Sequence, residues 1–410
     1  MALLSSLSEL PQDYVSVTFP LECIYTPPGL SPQKDITPNF PRYEEMIAAY
    51  KSIAASNPGL ELWVPLDERR NILSGMDQFL RFVKETPYRY YWADMALIAY
   101  NVDKLCKIVD GQIYTETCIG NGEKTYDFIQ RLENCGPRYI IANDIFSGNI
   151  ETSFHRLTVS REPVTWSTRK KSKKDRPLVY PAGQTIKMPG NILEWEKDKF
   201  WPLLKETVEK IRKFPDDRVS LWMLGATWND FDASQRRKIL RSAQTPCGTR
   251  PSIIDDLVFA IDNTTKREPL KKFYYHLDLL NMGFTGLAWH ASLSSSKEKL
   301  GYPPKLGMSD MQGHLVIEEG EKSTKLYMAY QSDKQKRVYI SHAIEKPREE
   351  ETMKEFEIIN GFAENRDQMC QRMVIDERIC ASKESQFQGL EPLLGTYGFW
   401  HVNLSSRGPG

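Results

Sequence analysis

The chain has 410 residues, with 54 Lys+Arg against 54 Asp+Glu, 40% hydrophobic and 11% aromatic. That length allows one large domain or two to three ordinary ones, and the apolar share is enough for a packed core. Zero formal charge argues against a bulk nucleic-acid or membrane binder. The first residues carry no basic region of a secretory signal, and no run approaches the roughly 20 apolar residues of a membrane span, so the chain reads as cytoplasmic. The 7 cysteines (23, 106, 118, 135, 247, 370 and 380) are scattered, with no Cys-x-x-Cys and no histidine at ligand spacing. They read as free thiols in a reducing compartment.

In chain order, alternation over 13–19 predicts a strand. Helical spacing follows over 41–56, 67–84 and 89–109, with a short apolar strand at 61–65. A strand at 112–117, a helix at 124–133 and strands at 137–146 and 152–162 come next. Residues 167–191 form an irregular segment, in which Arg169, Lys170, Lys171, Lys173, Lys174 and Arg176 precede a Pro/Gly-punctuated loop. Beyond it come a helix at 194–213, a strand at 218–226 and a basic helix at 233–243. Strands are expected at 257–261, 272–277, 286–292, 314–318, 325–330, 337–342 and 397–404, with a helix at 350–373. Helices interleaved with pairs of strands indicate an α+β arrangement, an open α/β sheet being the alternative.

The chain lacks Gly-x-Gly-x-x-Gly, a Walker lysine loop and Gly-x-Ser-x-Gly, which disfavours a dinucleotide, a P-loop nucleotide and a serine hydrolase. Side chains two apart on a strand share a face, so Lys272 lies with Tyr274 and Lys325 with Tyr327; Tyr397 opens the last strand. Ammonium groups and phenols on one surface suit a diphosphate, with aromatic faces to shelter a carbocation. Glu162, at the end of a predicted strand, is either a general base or a surface salt-bridge partner. His276 and Asp278 have the spacing of an iron site completed by His342 or His401, although a surface or hydrogen-bonded pair is the simpler reading. Asp255-Asp256 and Asp216-Asp217 lack a third carboxylate at helical spacing, so no metal box is expected. The 169–176 run is a solvated loop, an RNA-contacting loop or a lid over an anion.

Four segments together resemble fungal indole prenyltransferases of the dimethylallyltryptophan-synthase type: the stretch from Arg156 to Val164, the stretch from Pro251 to Tyr274, Lys325-Leu326-Tyr327, and Leu394-Gly395-Thr396-Tyr397. The resemblance implies an antiparallel β-barrel of αββα units ringed by helices (the ABBA barrel), formed by 111–410, with a mostly helical region at 1–110 packed on it. It implies metal-independent transfer of a prenyl group from an allylic diphosphate to an indole-like acceptor, with no cofactor. Glu162 would act on the acceptor, Lys272, Lys325, Arg169 and Arg176 would hold the diphosphate, and Tyr274, Tyr327 and Tyr397 would shield the cation. Two other readings use different residues: an RNA- or tRNA-engaging protein working through the 169–176 run and the helix around Arg236-Arg237-Lys238, and an iron/2-oxoglutarate oxygenase using His276 and Asp278.

Overall fold

The structure is a computed structural model. It describes residues 24–25, 89–132, 135–144, 147–159, 184–190, 192–193, 199–212, 214, 217–274, 312–332, 337–340 and 344–404. The chain divides into two compact units, one of residues 89–263 and 348–410, the other of residues 1–88 and 264–347.

The first unit opens on helix α1 (Tyr90–Val109). Strand and helix then alternate: β1 (Ile113–Thr117), α2 (Glu123–Arg131), β2 (Tyr139–Asp144), α3 (Ser147–Val159), β3 (Gln184–Pro189), α4 (Phe200–Ile211), β4 (Val219–Met223), α5 (Ala233–Ala243) and β5 (Asp256–Asp262). After the other unit, the chain returns as α6 (Glu349–Phe356), β6 (Cys370–Val374) and β7 (Tyr397–Asn403). The strands form one seven-stranded sheet in the order β6-β7-β5-β4-β1-β2-β3. Strands β1 to β5 are parallel to one another, and β7 enters antiparallel between β5 and β6.

Burial explains this choice. β1, β2, β4 and β5 are buried along their whole length, as strands covered by helices on both faces must be. Alternation sends Ile113, Val219, Leu221, Met223, Leu257 and Phe259 into a core with Trp201 and Leu204 of α4, Ile239 and Leu240 of α5, and Phe356 of α6. On the opposite face Tyr114 and Trp222 stack with Phe128 of α2, at centroid distances of 5.2–6.1 Å. This is a doubly wound layer, not a barrel. The sheet is open, with β3 and β6 at its edges, so the expected antiparallel barrel is corrected and the α/β alternative stands.

Several local expectations also change; residues 184–189, inside the expected irregular segment 167–191, form β3. The strand at 152–162 is the helix α3 across its described part, because Ile150, Ser153 and Leu157 form one buried stripe at helical spacing. The strand at 272–277 is replaced, as far as it is described, by a helix at Arg267–Tyr274, whose Leu270, Phe273 and Tyr274 are buried together at i, i+3 and i+4. The long helix at 350–373 ends with α6; turns and a short helix at Arg366–Met369 follow, and β6 begins at Cys370. Cys106 and Cys135 form a disulfide joining the end of α1 to the approach to β2, so these two are not free thiols; Cys118, Cys247, Cys370 and Cys380 are.

The second unit holds an antiparallel sheet in the order Ile24–Tyr25, Gln312–Glu319, Ser323–Ser332, Ile344–Pro347, with Arg337–Ile340 paired to Ser323–Ser332. Among the described residues no helix is long and apolar enough to cross a membrane.

Candidate functional site

In an open parallel sheet the strand order reverses at one place, and the loops leaving the carboxyl ends of the strands diverge there to leave a crevice. Here that place lies between β1, from which the chain winds outward through β2 and β3, and β4, from which it winds the other way.

The loop at 118–122 leaves β1 and forms one wall. Cys118, Gly120 and Gly122 have φ of 58°, 57° and 73°, the left-handed region that glycine occupies without cost. At Gly122 the requirement is also steric, since a Cβ there would stand 2.8 Å from Cβ of Ser153 on α3. Gly122→Ala is therefore expected to lower stability by about 1–3 kcal/mol, read as a lower midpoint in urea unfolding; an unchanged midpoint would mean that α3 yields. The loop is otherwise tied down by hydrogen bonds. Gly120 N–H donates to Oδ2 of Asp144 at 2.9 Å, Ile119 N–H to the Asn143 carbonyl at 3.1 Å, and Arg156 Nη1 to the Asn121 carbonyl at 3.1 Å. Asp144 ends β2 and takes a second contact from Asn149 Nδ2 at 3.4 Å. Asn143 beside it donates to the carbonyls of Met188 and Gly190, fixing the end of β3.

The other wall follows β4, where Gly225 and Ala226 have φ of 82° and 59° before a short turn at Thr227–Asp230. Its anchor is Asp94 of α1, which is fully buried. Asp94 Oδ2 accepts from Gly225 N–H and from Lys124 Nζ, each at 2.8 Å, and Oδ1 accepts from the Tyr397 hydroxyl at 2.6 Å. Tyr90 donates to Asp262 at 2.5 Å and packs 5.3 Å from the Tyr397 ring. Helix α1, the turn after β4, α2 and β7 thus meet at one carboxylate.

Beneath the first wall, Glu116 is buried and accepts from the hydroxyls of Tyr114 and Thr125, each at 2.5 Å. Burial pushes its carboxyl up to about 7, against the lowering effect of Thr125, Tyr114 and Lys124. Cys118 has the exposed side chain of the loop, yet desolvation first, then Asp144, Asp230 and Glu116, raise its thiol above the ordinary range. The crevice is acidic.

Of the residues singled out in the sequence, Tyr397 alone is placed here. Tyr274 is buried on the Arg267–Tyr274 helix, with Lys346 Nζ 5.2 Å from its ring, and Lys272 belongs to the same helix. Lys325, exposed, and Tyr327 lie on the strand Ser323–Ser332. All four belong to the other unit. Glu162, Arg169, Arg176, His276, Asp278 and His342 lie outside the described residues. His401 of β7 is bonded to Asp256 at 2.8 Å, at the amino end of β5 and so at the end of the sheet away from the crevice, and no metal-holding group of three or more His, Cys, Asp or Glu occurs among the described residues. In the basic helix Arg236 is buried against Glu355, and Lys238 donates to the Leu193 carbonyl.

Comparison with known proteins gives no matching protein family and no matching curated protein. Among solved structures, the chain is similar to an S-adenosylmethionine-dependent methyltransferase from Clostridium acetobutylicum, at 10% identity over 80% of this chain and 98% of that one, TM-score 0.37. It is also similar to CalS10, an amino pentose methyltransferase from Micromonospora echinaspora solved with S-adenosylmethionine bound, at 9% identity over 82% and 99%, TM-score 0.34. A third is DesVI from Streptomyces venezuelae, at 7% over 81% and 99%, TM-score 0.32. The fold assignment itself rests on this chain's own strand order.

Prenyl transfer, its allylic diphosphate and its aromatic acceptor are corrected accordingly. The open sheet, parallel through β1 to β5, removes the barrel that the resemblance to indole prenyltransferases implied, and with it the enclosed chamber in which that chemistry was expected. The RNA-engaging and iron-oxygenase readings gain no support and are set aside with it. Sequence reasoning missed the loop because a search for Gly-x-Gly-x-x-Gly passes over Glu116-Thr117-Cys118-Ile119-Gly120-Asn121-Gly122. The usable signal was a buried strand with an acid next to its last residue, two glycines one residue apart, and a helix starting at once.

Proposed function

We propose that the 89–263 and 348–410 unit binds S-adenosylmethionine in the crevice between β1 and β4 and is the catalytic unit of a methyltransferase. The observation that carries this reading is the contact between Gly120 N–H and Asp144, 24 residues apart. In dinucleotide-binding α/β folds a glycine turn after the first strand lets the backbone approach the ligand, and an acid about 20 residues further on receives the ribose hydroxyl. Asp144 holds the loop from the carboxyl end of β2, where its carboxylate would also meet the ribose hydroxyls. Glycines at 120 and 122 let the backbone approach the ligand closely.

The charge of the crevice selects among nucleosides. A dinucleotide would bring a diphosphate against Glu116, Asp144 and Asp230, whereas a sulfonium ligand brings a cation. The sheet departs from the dinucleotide order in the same direction, with β7 inserted antiparallel beside β5. When bound, S-adenosylmethionine supplies a methyl group on positive sulfur, and an acceptor's lone pair takes that methyl as the thioether leaves. This chain's residues hold the nucleoside and keep the charge of the site negative.

Titration calorimetry with S-adenosylhomocysteine tests this. Wild type should bind it, and Asp144→Ala should weaken binding about tenfold to hundredfold, the worth of hydrogen bonds to a charged group. No binding by wild type, or tighter binding of NAD than of S-adenosylhomocysteine, would sink the proposal.

A further inference from the structure

Lys124 is the second residue of α2, directly after the glycine loop, and its ammonium reaches across to the other wall. Its Nζ is 2.8 Å from Oδ2 of Asp94, and a Cβ at Gly225 would stand only 2.7 Å from it. The group therefore sits where the loops after β1 and β4 part. Its side chain keeps 21% exposure while Asp94 keeps none, so it lies between a buried carboxylate and the open crevice. An ammonium carries three donors, and the Asp94 contact uses one of them.

The proposed ligand has a sulfonium, an ammonium and a carboxylate. Glu116, Asp94, Asp144 and Asp230 suit its positive charges and repel its single negative one. We propose that Lys124 receives the carboxylate of the ligand's amino-acid tail, with Asp94 as the positioning residue that aims it. This assignment rests on the cofactor reading above. Three restraints make Asp94 a fixed support: the Gly225 N–H, the Tyr397 hydroxyl and complete burial. Gly225 is needed twice over, for its φ of 82° and for the space that the ammonium takes above it.

The test compares the affinities of two ligands that differ only in the carboxylate, S-adenosylmethionine and its decarboxylated form, by titration calorimetry. Lys124→Met should weaken S-adenosylmethionine binding about tenfold to hundredfold and leave the decarboxylated compound within about twofold of wild type. Lys124→Gln, which keeps a donor toward Asp94, should give the same pattern if the methionine variant folds poorly, and Lys124→Arg should restore most of the lost affinity. An equal loss for both ligands, or no loss for S-adenosylmethionine, overturns the assignment while the cofactor reading survives. If wild type binds neither ligand, both fall together.

Discussion

Replacing Arg236 by methionine is expected to cost about 3–5 kcal/mol of unfolding free energy, the usual penalty for removing one partner of a buried ion pair. Arg236 is 1% exposed on α5, and its Nε and Nη2 meet the two carboxylate oxygens of Glu355 on α6 at 2.8 Å each. Its Nη1 also donates to the Phe231 carbonyl at the start of α5. The penalty comes from desolvation, because the variant leaves Glu355 charged and buried without its guanidinium. Arg236→Met combined with Glu355→Leu should therefore recover most of the loss, since the pair contributes little net stability against apolar residues of similar volume. Urea unfolding of the two single variants and the double variant checks this. A loss below about 1 kcal/mol in Arg236→Met would show that water reaches the pair.

The second large effect is in the pH dependence. Glu116 has an ordinary value of 4.5 and is held at about 7 in the fold, chiefly by burial. Between those two values the folded protein keeps a proton that the unfolded chain has released, so stability falls as pH rises. The slope reaches about 1.4 kcal/mol per pH unit, and the total approaches about 3 kcal/mol by pH 7. Below 4.5 both states hold the proton, and above 7 neither does, so this contribution is flat at both ends. Glu116→Gln, which cannot ionise, should remove that slope and be the more stable protein at pH 8. Denaturant midpoints from pH 5 to pH 8 measure it, and parallel pH profiles for wild type and variant would refute it. The same carboxyl links to function. A bound cation favours the ionised form, so ligand binding should expel this proton and strengthen as pH rises toward 7.

Much of the layer structure was legible from periodicity alone. The strands β1, β2, β4, β5 and β7, and the helices α1, α2 and α5, all fall where they were expected. The topology was lost at one helix. Read from residue 152, α3 alternates like a strand, and only with Ile150 does its stripe of Ile150, Ser153 and Leu157 show helical spacing. That misreading helped turn a β-α-β alternation into helices with paired strands, and the resemblance to indole prenyltransferases then supplied the barrel. The unbroken apolar character of Tyr139-Ile140-Ile141-Ala142 and Leu257-Val258-Phe259-Ala260 pointed the other way, since strands buried on both faces have no polar side to show. The crevice was harder to see. Cys118 adopts a backbone conformation usual for glycine, which hides the loop from a glycine motif. Asp94 and Tyr397 are 303 residues apart and meet only when α1 and β7 are packed. Long-range hydrogen bonds of this kind leave no local pattern in a sequence.

The central claim is a nucleoside-binding crevice at the reversal point of the sheet. Hydrogen–deuterium exchange of the full chain, with and without saturating S-adenosylhomocysteine, tests it most directly. The account predicts slowed amide exchange over 117–124, at Asp144 and over 224–226, with the edge strands β3 and β6 unchanged. Protection confined to other segments, or no change with saturating ligand, would contradict it.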